Sequence, residues 1–343
     1  MDIFFYICLF IYGALMGSFG SVIIYRLKSG EGGITNGRSH CPKCNTMLNA
    51  LDLVPIFSWI LNKAKCGHCK EKVSAVYPIL EMSTGFLFAF IGYFLIDPNL
   101  IFGLDGIEIY KLIFWLSIGF ITILYTFYDI LFLEIHEGIM LTGIIIILIT
   151  IALQTIFPGF DIINILPEGL NRIDGISISI SAIIISIIII GMLYTIMLKE
   201  LHEFIDITLI IASIGLLYLF KYLFDINLGQ IAILNGVVGA LAIYIFFYLQ
   251  ILVSRGAWMG GGDLRIAIMI GLILGISFSF AGLMLTYFVG SLIGVGFIVI
   301  NRIKNKGKKF NTQIPFGPFL AIGFFLTVFY SNYISDFISI YFG

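Results

Sequence analysis

Charge is scarce in this 343-residue chain: Asp, Glu, Lys and Arg make up 11% of it, against 60% hydrophobic residues and a mean hydropathy of +1.08. That balance excludes a soluble globule. Apolar–polar alternation is missing as well, so membrane strands are excluded and the continuous apolar runs read as helices crossing about 30 Å of hydrocarbon. No basic residue precedes the first run, Ile3 to Tyr25; Asp2 stands before it, and Arg26 and Lys28 follow. A signal peptide has the opposite order, so the run reads as an uncleaved anchor with its N-terminus outside. The zinc-protease pattern His-Glu-x-x-His is also absent: Met140 stands at the second-ligand position after His136-Glu137, and Asp206 after His202-Glu203. Beyond Ile-rich apolar sequence there is no low-complexity tract and no convincing short repeat.

What is there is an all-α polytopic membrane protein with about ten transmembrane helices, at about 3–25, 76–96, 108–128, 138–157, 176–198, 206–222, 231–253, 264–280, 282–300 and 315–337. Loops 26–75, 129–137, 199–205, 254–263 and 301–314 then share one side. With Arg265 they hold sixteen of the nineteen Lys and Arg, which makes that side cytoplasmic and leaves both termini outside. Lys304, Lys306, Lys308 and Lys309 make 301–314 a basic loop suited to anionic lipid. The expected divisions are a first helix at 1–26, a small cytoplasmic domain at 27–75, and a membrane peptidase domain at 76–343 that includes an extra segment at about 160–234.

Residues 27–75 carry Cys41-Pro-Lys-Cys44 and Cys66-Gly-His-Cys69, two C-x2-C knuckles separated by twenty-one residues. Four thiolates at that spacing resemble a zinc ribbon, a closed tetrahedral site. A cytoplasmic setting argues against disulfides. His40 and His68 read as solvated neighbours of the ligands, and Cys8 as inert core.

Acids beside the spans on the inner face are few. Asp129 ends the third span, and Asp263 begins the eighth behind Gly260-Gly261-Gly262. Both are expected at the same depth, though 134 positions apart. A carboxylate among membrane helices is a functional candidate by default. Two close together share a proton, as in the aspartic-protease dyad: one activates water while the other protonates the carbonyl. Either acid alone also suits a helix cap. The glycines leave room for backbone or substrate. Glu81, in the second span, reads as a site residue or as a partner of Arg26. Glu134 and Glu137 read as active-site rim or as solvated. Glu200, His202, Glu203 and Asp206 read as a solvated turn.

Taken in order, these stretches resemble the type IV prepilin peptidase (leader peptidase/N-methyltransferase) family: Gly17-Ser18-Phe19 through Ile24-Tyr25-Arg26-Leu27; Arg38-Ser39-His40-Cys41-Pro42-x-Cys44; Leu51-Asp52-Leu53-Val54-Pro55-Ile56; the second cysteine pair; Tyr77-Pro78-Ile79-Leu80-Glu81; Asp129; Gly260-x-Gly262-Asp263; and Ile314-Pro315-Phe316-Gly317-Pro318-Phe319. The resemblance implies cleavage of a basic leader from prepilins or pseudopilins at the cytoplasmic face of a bacterial inner membrane. It also implies methylation of the new N-terminal amine with S-adenosylmethionine. It assigns catalysis to Asp129 and Asp263, with support from Gly260, Gly262, Glu137 and Arg265, and zinc to Cys41, Cys44, Cys66 and Cys69. Glu81 and Arg26 are candidates for a substrate or methyl-donor site. The partners implied are the pilin substrate and the lipid bilayer, not nucleic acid.

The sequence departs from the family pattern in places. His136-Glu137 stand where Pro-Asp is usual, Gly20-Ser21 where Leu-Asn is usual, and Arg265 where Lys is usual. Segment 160–234 has no counterpart in shorter members, and its position suggests a pilin- or partner-binding flank. Tyr128-Asp129 with Gly-x-Gly-Asp also resembles presenilin and signal-peptide-peptidase proteases. A membrane scaffold or transporter is the non-enzymatic alternative.

Overall fold

The computed structural model describes residues 2–30, 39–41, 43–157, 159–163, 176–198, 203–226, 228–304 and 314–342. Most of the basic loop 301–314, most of the outer loop 158–175, and Arg38, Pro42, Glu200 and His202 lie outside the described residues. The elements are α1 (Asp2–Ser29), α2 (Phe57–Leu61), α3 (Val76–Leu95), α4 (Pro98–Phe102), α5 (Gly106–Phe132), α6 (Glu137–Ile156), α7 (Ile176–Leu198), α8 (Glu203–Phe224), α9 (Ala232–Ser254), α10 (Gly261–Lys304), α11 (Gly317–Phe329) and α12 (Ser331–Phe342). Among the described residues the only β pairing is two isolated bridges, His40 with Met47 and Lys65 with Lys72. The chain is an all-helical polytopic membrane protein. Among the described residues, eight helices are long and apolar enough to cross a membrane, or nine if α11 and α12, bent by 76°, form one span.

The expected spans 264–280 and 282–300 are two helical segments in series, labelled together as α10, and the break between them falls at Gly275 rather than near 281. Unbroken, its 44 residues would run about 66 Å, twice the hydrocarbon thickness. Gly275 has φ 62° and ψ −178°, conformations that glycine alone takes readily. The break has a partner: Asn235 of α9 accepts the Ile276 N–H at 3.0 Å. The last expected span, 315–337, is likewise two helices meeting at a bend.

The chain divides into two compact units, Met1–Phe132 and Leu133–Gly343. In the first, α1 and α3 pack backbone to backbone. A Cβ on Gly13 would stand 2.7 Å from Thr84 O, and one on Gly17 2.7 Å from Glu81 Cα. Small residues four apart allow this approach in an apolar medium. Phe5, Leu9, Phe88 and Ile96 form a core beside that seam. The start of α5 is capped by Asp105, which accepts the Ile107 and Glu108 N–H groups at 3.0 and 2.9 Å. Glu108 in turn accepts the Asp97 N–H at 2.8 Å, so its buried carboxylate is satisfied.

In the second unit the α9–α10 seam is equally close, with the Cβ position of Gly239 2.5 Å from the Gly275 carbonyl carbon. α6 and α7 pack against both of these helices, and α8 packs on α7.

Candidate functional site

The two cysteine knuckles are built alike. Cys41 N–H donates to Thr46 O at 3.0 Å, and Cys66 N–H donates to Glu71 O at 2.8 Å. Asn45 and Lys70, the residues after each second cysteine, take left-handed backbone (φ 54° and 60°) and donate back to Cys41 O and Cys66 O. Each turn thereby presents two sulfurs to a common centre. All four Sγ atoms lie within 4.8 Å of one another, and Cys41 and Cys69 are 3.9 Å apart. A tetrahedral ion with bonds near 2.3 Å spaces its sulfurs by roughly 3.8 Å, so the four are positioned to bind a metal ion. The thiols are not tuned alike: burial and the neighbouring sulfurs raise Cys69 to about 11. Hydrogen bonds from the Thr46 hydroxyl and N–H lower Cys44 to about 6, and N–H groups of Cys69 and His68 lower Cys66. The only buried residues described between 39 and 75 are Cys41 and Cys66, so the core of this segment is the cysteine site itself. His40 and His68 are exposed, as expected. Cys8 is not core: it lies on the exposed face of α1.

Beneath the knuckles is a cavity of about 430 Å³, with α1 and α3 for walls. It contains both Arg26 and Glu81, the two residues singled out for a substrate or methyl-donor site. Glu81 is only 8% exposed. Its Oε2 accepts the Ile56 N–H at 2.7 Å, and the Ser18 side chain also hydrogen-bonds it. Ile56 adopts φ 63°, ψ −52°, and Phe57 N–H closes a tight turn onto Pro55 O at 2.6 Å. This is the rare γ-turn, strained for a β-branched residue by about 1–3 kcal/mol. Nothing in the sequence marks Ile56 for this conformation, because isoleucine at positive φ has no sequence signature.

Asp129 is buried (6% exposed) in the last turn of α5, within the first unit. Lys28, at the end of α1, sits 5.0 Å over the ring of Phe132, in the turn that follows Asp129. Within that unit, Asp129 is therefore at the end from which the cysteine segment emerges.

Asp263 is buried (7% exposed) in the first turn of α10, within the second unit. The glycines before it differ. A Cβ at Gly260 or Gly261 would meet nothing within 4 Å, whereas one at Gly262 would meet the Ile135 side chain at 3.0 Å. Gly260 and Gly261 thus face open space, and Gly262 seats the loop ahead of α6. Arg265 grips the same loop, its Nη1 donating to Ile135 O at 3.4 Å. His136 caps α6 by accepting the Gly138 N–H at 3.1 Å. Glu137 accepts the Tyr194 hydroxyl at 2.9 Å. The structure therefore brings Gly262, Arg265 and Glu137 around one loop and adds Tyr194, from the extra segment, which the sequence reading passed over. Asp206 is also corrected. It is no solvated turn residue but 3% exposed, accepting the Tyr248 hydroxyl at 3.3 Å.

Residues 11–95 match the Bacterial Peptidase A24 N-terminal domain. The chain is 23% identical to the prepilin leader peptidase/N-methyltransferase of Bacillus subtilis over 333 residues, 96% of each chain. It is 24% identical to the Neisseria gonorrhoeae protein of that name, covering 90% of this chain and 85% of that one. A third, from Vibrio cholerae, is 39% identical over 111 residues, 29% of this chain and 44% of the relative. No solved structure matches. The chain resembles the type IV prepilin peptidase family along its length.

Proposed function

We propose that this protein is an aspartic endopeptidase of a bacterial inner membrane that removes the basic leader from prepilins or pseudopilins and then N-methylates the new terminus. The observation that carries the reading is end-to-end similarity to proteins named for both activities, joined to buried acids at Asp129 and Asp263. In this mechanism the two carboxylates share a proton. One takes a proton from the attacking water while the other protonates the scissile carbonyl; the first then gives the water's proton to the leaving amine as the second recovers a proton from the collapsing diol. Gly260 and Gly261 leave space for an extended peptide beside Asp263. Gly262, Arg265 and Glu137 hold the neighbouring loop.

Zinc would be held by Cys41, Cys44, Cys66 and Cys69, whose sulfur spacing fits a tetrahedral ion, and its role is structural. For the methyl donor, the about 430 Å³ cavity has the size of a small-molecule site. Its wall offers the rings of Tyr25 and Trp59 and the ammonium groups of Lys43, Lys65 and Lys72, suited to an aromatic base and a carboxylate. The Trp59 ring is fixed by its Nε1–H donating to Val73 O at 3.1 Å. When bound, S-adenosylmethionine supplies an electrophilic methyl group.

On this reading the basic side is cytoplasmic, the termini lie outside, and the functional divisions are 1–26, 27–75 and 76–343. The test is mass spectrometry of the mature N-terminus of a prepilin after co-expression. Wild type gives a cleaved, methylated terminus, and Asp129→Ala or Asp263→Ala gives the uncut precursor. Retained cleavage in both variants overturns the dyad.

A further inference from the structure

We propose that Glu81 receives a primary ammonium group at the membrane end of the α1–α3 cavity, its source being the free N-terminal amine of the processed substrate. This rests on the methylation reading and adds the residue that holds the acceptor. A buried carboxylate calls for a cation or a full set of donors. The two hydrogen bonds described above, from the Ile56 N–H and from Ser18, come from neutral groups. Arg26 stands eight residues beyond Ser18 on α1, about 12 Å further along the helix by its rise per residue. A carboxylate has about four acceptor positions, so two donors leave capacity for the three N–H groups of an ammonium.

The surroundings suit an amine on an apolar chain. Ser18, Ser21 and Val22 of α1 and Tyr77, Pro78 and Glu81 of α3 all line the cavity. The hydroxyls offer further acceptors, which an ammonium uses and a sulfonium, lacking N–H, does not. A helix lying in the bilayer brings its N-terminus to this depth without burying other polar groups. The strained turn at Ile56 then has a purpose: it aims a backbone N–H at Glu81 and fixes the carboxylate before the ligand arrives.

The test uses the full-length protein in detergent micelles and a fluorescent peptide with an apolar N-terminal segment, bearing either a free or an acetylated amine. Wild type is expected to bind the free amine at least about tenfold more tightly, the order of one charge-assisted hydrogen bond. Glu81→Gln, which keeps an acceptor for Ile56, loses the preference, and Glu81→Asp keeps part of it. Metal content and size-exclusion profile report that each variant is folded. Equal binding of both peptides by wild type, or an undiminished preference in Glu81→Gln, overturns the proposal. A parallel arm compares S-adenosylmethionine with S-adenosylhomocysteine. Both carry an α-ammonium and only the first a sulfonium: if Glu81→Gln loses only the discrimination between them, or weakens both while keeping the peptide preference, the cation is the methyl donor's and the proposal falls. Amine preference without methylated product leaves Glu81 in place and sinks the methylation reading. Methylated product without amine preference does the reverse.

Discussion

Tyr194 and Glu137, fifty-seven positions apart, are joined by a hydrogen bond of 2.9 Å from the tyrosine hydroxyl to the carboxylate. The bond ties the extra segment to the loop that Arg265 and Gly262 also hold. Tyr194→Phe removes only the hydroxyl. A hydrogen bond to a charged group contributes about 1.5–3 kcal/mol, so if that orientation is used in cleavage, kcat/KM for a prepilin falls roughly tenfold or more while the fold persists. Steady-state cleavage of a purified prepilin measures it. Wild-type rates in Tyr194→Phe, and after deletion of 160–234, would mean that the segment serves something other than processing.

The α1–α3 seam predicts a sharper effect for Gly17→Ala. The added methyl would stand 2.7 Å from Glu81 Cα and 3.2 Å from Leu80 O, both backbone, so neither can step aside by rotamer change. Overpacking of this kind costs about 1–3 kcal/mol and pushes the helices apart. The melting temperature in detergent is expected to fall. An unchanged melting temperature would show that the seam is looser than described.

Much of this fold was legible because membrane helices announce themselves locally: an apolar run of sufficient length is the whole signal. The cysteine site was legible for the same reason, since both knuckles are contiguous in sequence. What was not legible depends on partners far along the chain. The break at Gly275 is chosen by Asn235 of a neighbouring helix, and nothing between Ile266 and Phe280 marks that glycine above Gly271. Asp206 looked solvated among polar neighbours, but a tyrosine forty-two positions away takes it in. Glu81 was seen as an acid near a membrane edge, but the donor that holds it is a strained backbone N–H.

Metal removal should act on residues 39–75 first. With Cys41 and Cys66 the only buried residues described there, the segment has almost no apolar core to keep it folded without an ion. One zinc per chain is expected by elemental analysis. Chelation, or Cys44→Ser with Cys69→Ser, should open this segment to limited proteolysis while the membrane helices stay protected. Resistance to protease after complete metal loss would mean that the ion is peripheral.

Asn235→Ala tests the break in α10. The asparagine Oδ1 accepts the Ile276 N–H at 3.0 Å, and its side chain lies about 3.0 Å from the Cβ position of Gly275. Without it, the N–H is left unsatisfied in an apolar interior, where no water can replace the partner. The loss is expected to cost about 1–3 kcal/mol of stability. Gly275→Ala should cost more, because alanine must also adopt a left-handed backbone and meet Asn235. If the break exists only to satisfy these two residues, the double variant straightens locally and recovers part of the loss. Thermal melts of the two single variants and the double variant measure that coupling, and strict additivity would show that the break is held by something else.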